Sequence, residues 1–226
     1  MSEIPERQIL TLRDGRRLSY VEYGDPAGEP VFFFHGFPGS AAQGLRLHEP
    51  GKALGYRVLA LNRPGLDESD FIVGWPLDVA EVADQLGFGR FRVYGVSGGA
   101  PYASACAALL PARVIATALV CGLGQLADEG LLKHMRFGPR SLFRADKYLG
   151  FWMPVVYRGI AMAINSDSEL AVQLAAGRLP APDDEVLARE SVRRTVARSF
   201  EEALRQGVRG VSRDIQIYRR PWGIVL

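Results

Sequence analysis

Arg90 to Leu110, RFRVYGVSGGAPYASACAALL, decides how the rest of the chain is read. An apolar run ends in Gly95-Val96-Ser97-Gly98-Gly99, and a small-residue stretch of helical character follows from Ala100. A turn sharp enough to lift the Ser97 hydroxyl clear of the backbone puts that residue in strained φ/ψ, so the positions two before and two after must be small. Gly95 and Gly99 meet that condition. The helix expected next aims its N-terminal amides and positive dipole end at any oxygen that gains negative charge beside Ser97. Two other glycine-loop chemistries do not fit. A phosphate-cradling loop needs G-x-x-x-x-G-K-[ST] and no lysine follows this turn, and a dinucleotide fingerprint needs G-x-G-x-x-G.

Outward from this stretch, strands and helices alternate. Gln8 to Arg13 and Arg17 to Tyr23 alternate in polarity around Asp14-Gly15, the signal of a hairpin at a sheet edge. Val31 to Phe34, Tyr56 to Leu61 and Arg113 to Cys121 are continuous apolar runs, as expected of strands buried on both faces of a parallel sheet. Ala41 to Leu54 reads as a weak helical or irregular crossover. Trp75 to Leu86 reads as a helix with Leu77, Val79, Ala80, Val82, Ala83 and Leu86 on its apolar face, closed by Gly87. The fold class is therefore α/β, with a doubly wound, mostly parallel sheet. After Gly122 the strand signal stops. Leu131 to Ile164 is apolar and aromatic, with Phe137, Phe143, Tyr148, Phe151, Trp152, Met153, Tyr157 and Met162, and reads as short helices packed on one another. Asp183 to Gln206 reads as one long amphipathic helix, with Val192, Val196, Phe200 and Leu204 at four-residue spacing.

Composition narrows the function. Of the 226 residues, 27 are Lys or Arg and 25 are Asp or Glu, scattered along the chain, so no nucleic-acid surface is expected. No membrane span is expected either, since Pro154 and Arg158 interrupt an apolar run that is already too short. The N-terminus has no basic start followed by an apolar run, so no secretory signal is read. Cys106 and Cys121 are expected as small core residues in a reducing cytoplasm. No His, Cys and carboxylate cluster stands at ligand spacing, so neither a metal nor an organic cofactor is expected.

Taken together, the elbow around Ser97 and two further loops resemble the α/β-hydrolase superfamily, in particular its small bacterial esterase-like serine hydrolases with GVSGGxPYA elbows. His35-Gly36-Phe37-Pro38-Gly39 is similar to the family's oxyanion loop, and Asn62-Arg63-Pro64-Gly65-Leu66-Asp67-Glu68-Ser69-Asp70 resembles its D-R-P-G-x-G-x-S-D loop. The second loop departs twice, with Asn62 for the usual acid and Asp67 for the second glycine. The resemblance implies that Ser97 is the catalytic nucleophile and that the backbone amides of Phe37 and Gly98 form the oxyanion hole. His35 supports its loop and is not the base. Serine at the elbow argues against the dehalogenase and epoxide-hydrolase branches, where aspartate is expected. The implied organisation is a hydrolase core over residues 1–124, a helical lid over 125–220 whose aromatics line an acyl or alcohol pocket, and a truncated return over 221–226.

In the family the acid follows the seventh strand and the histidine the eighth, and neither strand is read here. His48 and His134 do not match the family position, and Asp128 is the only nearby candidate for another acid. A serine hydroxyl without a base stays protonated and is a poor nucleophile, so the implied function is acyl transfer on a small, apolar-leaning ester, amide or lactone, in a chain that is almost inactive by itself. The alternatives are a non-catalytic ligand-binding protein with this fold, or an assembly in which a partner chain supplies the missing strands and histidine. Val114 to Val120, shaped for a sheet interior yet left without a neighbour, is expected to pair with a second copy or to aggregate.

Overall fold

Asp14-Gly15 reverses the chain with Gly15 at φ +85°, a backbone conformation that suits glycine. The computed structural model describes residues 5–71, 74–177 and 179–223. On either side of the turn, β1 (Arg7–Thr11) and β2 (Arg17–Gly24) pair antiparallel, with Arg7 opposite Val21 and Thr11 opposite Arg17. They join β3 (Glu29–Phe34), β4 (Tyr56–Leu61), β5 (Phe91–Val96) and β6 (Val114–Val120) in a sheet of order β1-β2-β4-β3-β5-β6. The pairings β3 with β4, β3 with β5 and β5 with β6 are parallel. The central strands are covered on both faces, which is why they read as unbroken apolar runs. Phe32, Phe34, Leu59 and Leu61 join one core with Trp75, Val79, Phe91 and Tyr102, while Phe33, Val58 and Ala60 join another with Val21 and Tyr23.

The strand order reverses at β3, whose neighbours β4 and β5 lie on opposite sides of it. Ligand crevices of open α/β sheets lie outside the carboxyl ends of the strands at such a point. Here those ends lead into His35-Gly36-Phe37 and into Ser97. The crossovers are a 3-10 helix over Ala41–Leu47 with α1 (His48–Leu54), α2 (Trp75–Gln85), and α3 (Ala100–Leu109). Beyond β6 the described chain is helical: α4 (Glu129–Leu132), α5 (Phe137–Tyr148), α6 (Met153–Ser166), α7 (Ser168–Ala176), α8 (Ala181–Ala188), α9 (Glu190–Ala203) and α10 (Arg209–Tyr218).

Several expectations are corrected. The helix read over Asp183 to Gln206 is two, because Arg189 takes an extended backbone (φ −67°, ψ 119°) between α8 and α9. Of the expected stripe Leu204 is buried and Val192, Val196 and Phe200 are half-buried, while Thr195, Ala197, Ser199, Glu202 and Ala203 are buried, Ser199 and Glu202 because Ser40 partners them. On α2, Leu77 is 71% exposed and Asp78 is buried in its place, held by Arg16 at 2.8 Å. Cys121 is exposed rather than a core residue, while Cys106 is buried; both are free thiols. Residues 115–120 of β6 are exposed although their composition suits an interior. Of the aromatics and methionines singled out between Leu131 and Ile164, Phe143, Met153 and Tyr157 are buried, whereas Phe137, Tyr148, Phe151, Trp152 and Met162 are exposed. Of the return over 221–226, residues 224–226 lie outside the described residues, as do residues 1–4 of the N-terminus.

In the loop after β4 the two departures compensate each other. Asp67 sits at φ +53°, a left-handed conformation that the usual glycine adopts freely and that Asp tolerates better than most residues. Asn62 Nδ2 donates to its carboxylate at 2.9 Å across five positions, while Asn62 Oδ1 accepts from the Ala41 amide at 2.6 Å. Ser19, Arg7 and Arg205 complete the shell around Asp67. The acid has moved along the loop, and an amide faces it where a second carboxylate would repel it. Restoring the acid alone, Asn62→Asp, is expected to cost about 2–4 kcal/mol by burying facing carboxylates, and adding Asp67→Gly should recover more than half of that. Denaturant unfolding of the two single variants and the double checks this; additive costs would show that the positions are independent.

Candidate active site

Ser97 adopts φ +49°, a strained conformation for a non-glycine residue, at the junction of β5 and a 3-10 turn (Ser97–Gly99) that runs into α3. The glycines around it are required by space. A Cβ on Gly99 would sit 2.0 Å from the Phe34 carbonyl oxygen, and one on Gly95 would sit 2.7 Å from the Gly99 carbonyl oxygen and 2.9 Å from the Ala103 Cβ. The Ser97 carbonyl accepts from the Leu123 amide at 2.9 Å, which ties the elbow to the chain leaving β6. The side chain of Ser97 is half-buried.

The loop after β3 lies against this elbow. A Cβ on Gly36 would come 3.6 Å from the Ser97 Cβ, and one on Gly98 would come 2.6 Å from the Phe37 Cβ, so Ser97, Phe37 and Gly98 are brought together. Gly36 donates its amide to Gln43 Oε1 at 2.8 Å. Where the loop exits, α9 clamps it: the Ser40 amide donates to Ser199 Oγ at 2.8 Å and the Ser40 hydroxyl donates to Glu202 Oε2 at 2.7 Å.

Beneath the loop lies a buried polar network that sequence reasoning missed. Arg63, with no exposure, donates to Asp214 through Nε at 3.1 Å and Nη2 at 2.7 Å, and to the carbonyls of His35 and Gly36. Asp214 also accepts from the Tyr102 hydroxyl, and the Arg63 guanidinium lies 5.2 Å from the centre of the Tyr102 ring. One turn along α10, the Tyr218 hydroxyl donates to the Gly98 carbonyl at 2.9 Å and its ring meets Phe37 edge-on at 5.6 Å. Burial opposes the charge on Arg63, but the Asp214 carboxylate with Tyr218 and Tyr102 outweighs it and raises the pKa. Burial also pushes the Tyr102 and Tyr218 hydroxyls well above their usual range, so both remain hydrogen-bond donors. Tyr102 stands in the quoted GxPYA stretch, but nothing local in the sequence pairs Arg63 with a residue 151 positions away.

No hydrogen bond reaches the Ser97 hydroxyl among the described residues. His35 is fully buried, with Nδ1 between the Gly36 carbonyl at 3.0 Å and Arg63 Nη1 at 3.1 Å, and Nε2 without a partner. Burial and then the Arg63 cation hold its pKa well below the usual histidine value. His48 Nδ1 accepts the Gly24 amide at 3.1 Å at the end of β2, and His134 is exposed. Asp128 caps α4 by accepting from the Gly130 amide at 2.8 Å. None of the four hydrogen-bonds the Ser97 hydroxyl. Among the described residues no group of three His, Cys, Asp or Glu side chains could hold a metal ion.

The family model described as "alpha/beta hydrolase fold" matches residues 29–160, the span that holds the β3 loop, the elbow and β6. The chain belongs to the α/β-hydrolase family. It is similar to a proline iminopeptidase of Xylella fastidiosa, 30% identical over 189 residues that cover 76% of this chain and 59% of that protein. A proline iminopeptidase of Xanthomonas citri is 32% identical over 109 residues, covering 44% of this chain and 34% of that protein. This α/β-hydrolase chain thus spans well under two thirds of the length of the curated relatives it matches. Among solved structures, a probable hydrolytic enzyme of Pseudomonas aeruginosa aligns with a TM-score of 0.66 at 17% identity, over 100% of this chain and 70% of that one. An epoxide hydrolase from an endophytic Streptomyces aligns with a TM-score of 0.60 at 21% identity, over 98% and 74%. Those two likenesses carry the fold alone.

The buried histidine of this α/β-hydrolase has a measurable consequence. Below the usual histidine pKa of about 6.5 the unfolded chain takes up a proton that folded His35 refuses, so stability falls as pH falls through that range. His35 contributes a slope of at most about 1.4 kcal/mol per pH unit there. Denaturant unfolding at pH 7 and pH 5 measures it. His35→Asn is expected to be less stable at pH 7 and to flatten the slope, and an unaltered slope would show that His35 titrates normally.

Proposed function

We propose that this chain carries the nucleophile of a serine hydrolase that acts by acyl transfer on a small, apolar-leaning ester, amide or lactone. The observation that carries the reading is Ser97 at φ +49° between two glycines that have no room for a side chain. Such strain persists only where the surroundings enforce it, and it is expected where a hydroxyl must stand clear of the backbone. In the proposed step the Ser97 oxygen attacks the acyl carbon and the leaving group departs. The backbone amides of Phe37 and Gly98 donate to the oxyanion of the tetrahedral intermediate. The proton from Ser97 passes to a histidine that is none of the three in these 226 residues and is oriented by an acid, and that histidine then protonates the leaving group. The helices over 125–220 act as the lid over residues 1–124. The relatives named proline iminopeptidase favour the amide among the three substrate classes.

A second reading, a non-catalytic ligand-binding protein, is favoured by the unpartnered Ser97 hydroxyl. Labelling with a fluorophosphonate probe and peptide mass spectrometry separates the two. Without its base a triad serine loses on the order of a millionfold in turnover, so the 226-residue chain should be modified slowly and only at Ser97, and Ser97→Ala not at all. Rapid stoichiometric labelling at Ser97 would show that a base reaches it and would favour the hydrolase over the binding protein, and equal labelling of Ser97→Ala would remove Ser97 from the mechanism.

We also infer a homodimer through β6, whose residues 115–120 are exposed and which pairs with β5 alone among the described strands. Beside it an apolar groove of about 280 Å³ runs along Val31, Leu54, Tyr56, Tyr94 and Ala118. Sedimentation velocity at tens of micromolar should show dimers that weaken with Leu119→Lys, and a monodisperse monomer would remove the inference.

A further inference from the structure

The segment from Lys133 to Asn165 carries Lys133, Arg136, Arg140, Arg144, Lys147 and Arg158 against a single acid, Asp146, in a chain whose charges otherwise nearly cancel. Asp146 is buried, accepting from Tyr157 at 2.7 Å and from Arg219, while Arg144 and Arg158 are exposed. Where α5 gives way to α6, Tyr148, Leu149, Phe151 and Trp152 are 71, 53, 88 and 62% exposed, and Val155 and Val156 extend the patch along α6. The inner face of these two helices is already filled by Phe143, Met153 and Tyr157, which pack into the core. Phe151 and Trp152 meet edge to face, with ring centres 5.5 Å apart, and form one exposed aromatic pair.

A run of large exposed apolar side chains marks an interaction surface. Exposed aromatic rings at the junction of two helices that carry exposed basic side chains match the chemistry of a membrane interface, where rings settle at headgroup depth and cations meet anionic lipid. We propose that the turn between α5 and α6 docks this protein onto an anionic lipid surface, with Phe151 and Trp152 inserted at headgroup level and Arg144 and Arg158 against the headgroups. Pairing of two copies through the same tip would press like charges together, which disfavours that occupant. No helix among the described residues is long and apolar enough to cross a membrane, so the association is peripheral.

Cosedimentation of the purified chain with vesicles tests it, using mixed phosphatidylglycerol and phosphatidylcholine against phosphatidylcholine alone, with tryptophan emission read in parallel. Binding should rise with the phosphatidylglycerol fraction, weaken with salt, and be roughly tenfold or more tighter than on neutral vesicles, with a blue shift on binding. The double variant Phe151→Ser with Trp152→Ser should lose binding to all vesicles, and Arg144→Gln with Arg158→Gln should lose roughly tenfold on the anionic ones. These residues are exposed, so circular dichroism should show all variants folded. Trp152→Phe is expected to bind and to lose the blue shift. Failure of the folded chain to bind anionic vesicles, equal binding by the double serine variant, or a self-association dissolved by Phe151→Ser would each overturn the proposal.

Discussion

A guanidinium with no access to water holds the candidate site together. Removing Arg63 and Asp214 from solvent costs several kcal/mol per ion, and the pair is tolerable only because its hydrogen bonds are nearly complete. Arg63 divides its donors between Asp214 on α10 and the carbonyls of the loop after β3, and Asp214 is satisfied on its other oxygen by Tyr102 at the start of α3. One interaction thus joins the last described helix, the β3 loop and the helix that follows the elbow. Tyr218 continues it to the Gly98 carbonyl. The two backbone segments that carry the proposed oxyanion donors are set from behind by α10.

Around that anchor the backbone is constrained by the absence of side chains as much as by their presence. Gly99 approaches the end of β3 so closely that a methyl group would overlap the Phe34 carbonyl. The chain accepts a left-handed serine at 97 because its neighbours on both sides leave no other path. The loop after β4 shows the complementary case, where a left-handed position is occupied by Asp67 and its charge is absorbed by Asn62, Ser19 and two arginines. The two departures from the family pattern face each other, with Asn62 donating to the Asp67 carboxylate.

Much of this was legible in order along the chain. Strands β3 and β4 announce themselves by apolar runs because both faces are covered, and the hairpin announces itself by Asp14-Gly15. Faces were harder to read. Leu77 and Asp78 exchange places because Arg16, far away in sequence, draws the carboxylate inward, and α9 buries Ser199 and Glu202 because Ser40 offers them partners. Hydrophobic periodicity assumes that the core is apolar, so it fails where a helix docks on a polar loop.

The sequence by itself determined the elbow, the parallel sheet and the position of Ser97, since each follows from backbone sterics and hydrophobic pattern within a few residues. Only the tertiary structure decided which distant side chains meet: Arg63 with Asp214 across 151 positions, Ser40 with Glu202 across 162, and the outward turn of Phe151 and Trp152. The physical reason is that local sterics act through neighbouring bonds, whereas a buried charge selects its partner only when the chain has folded and water has been excluded between them.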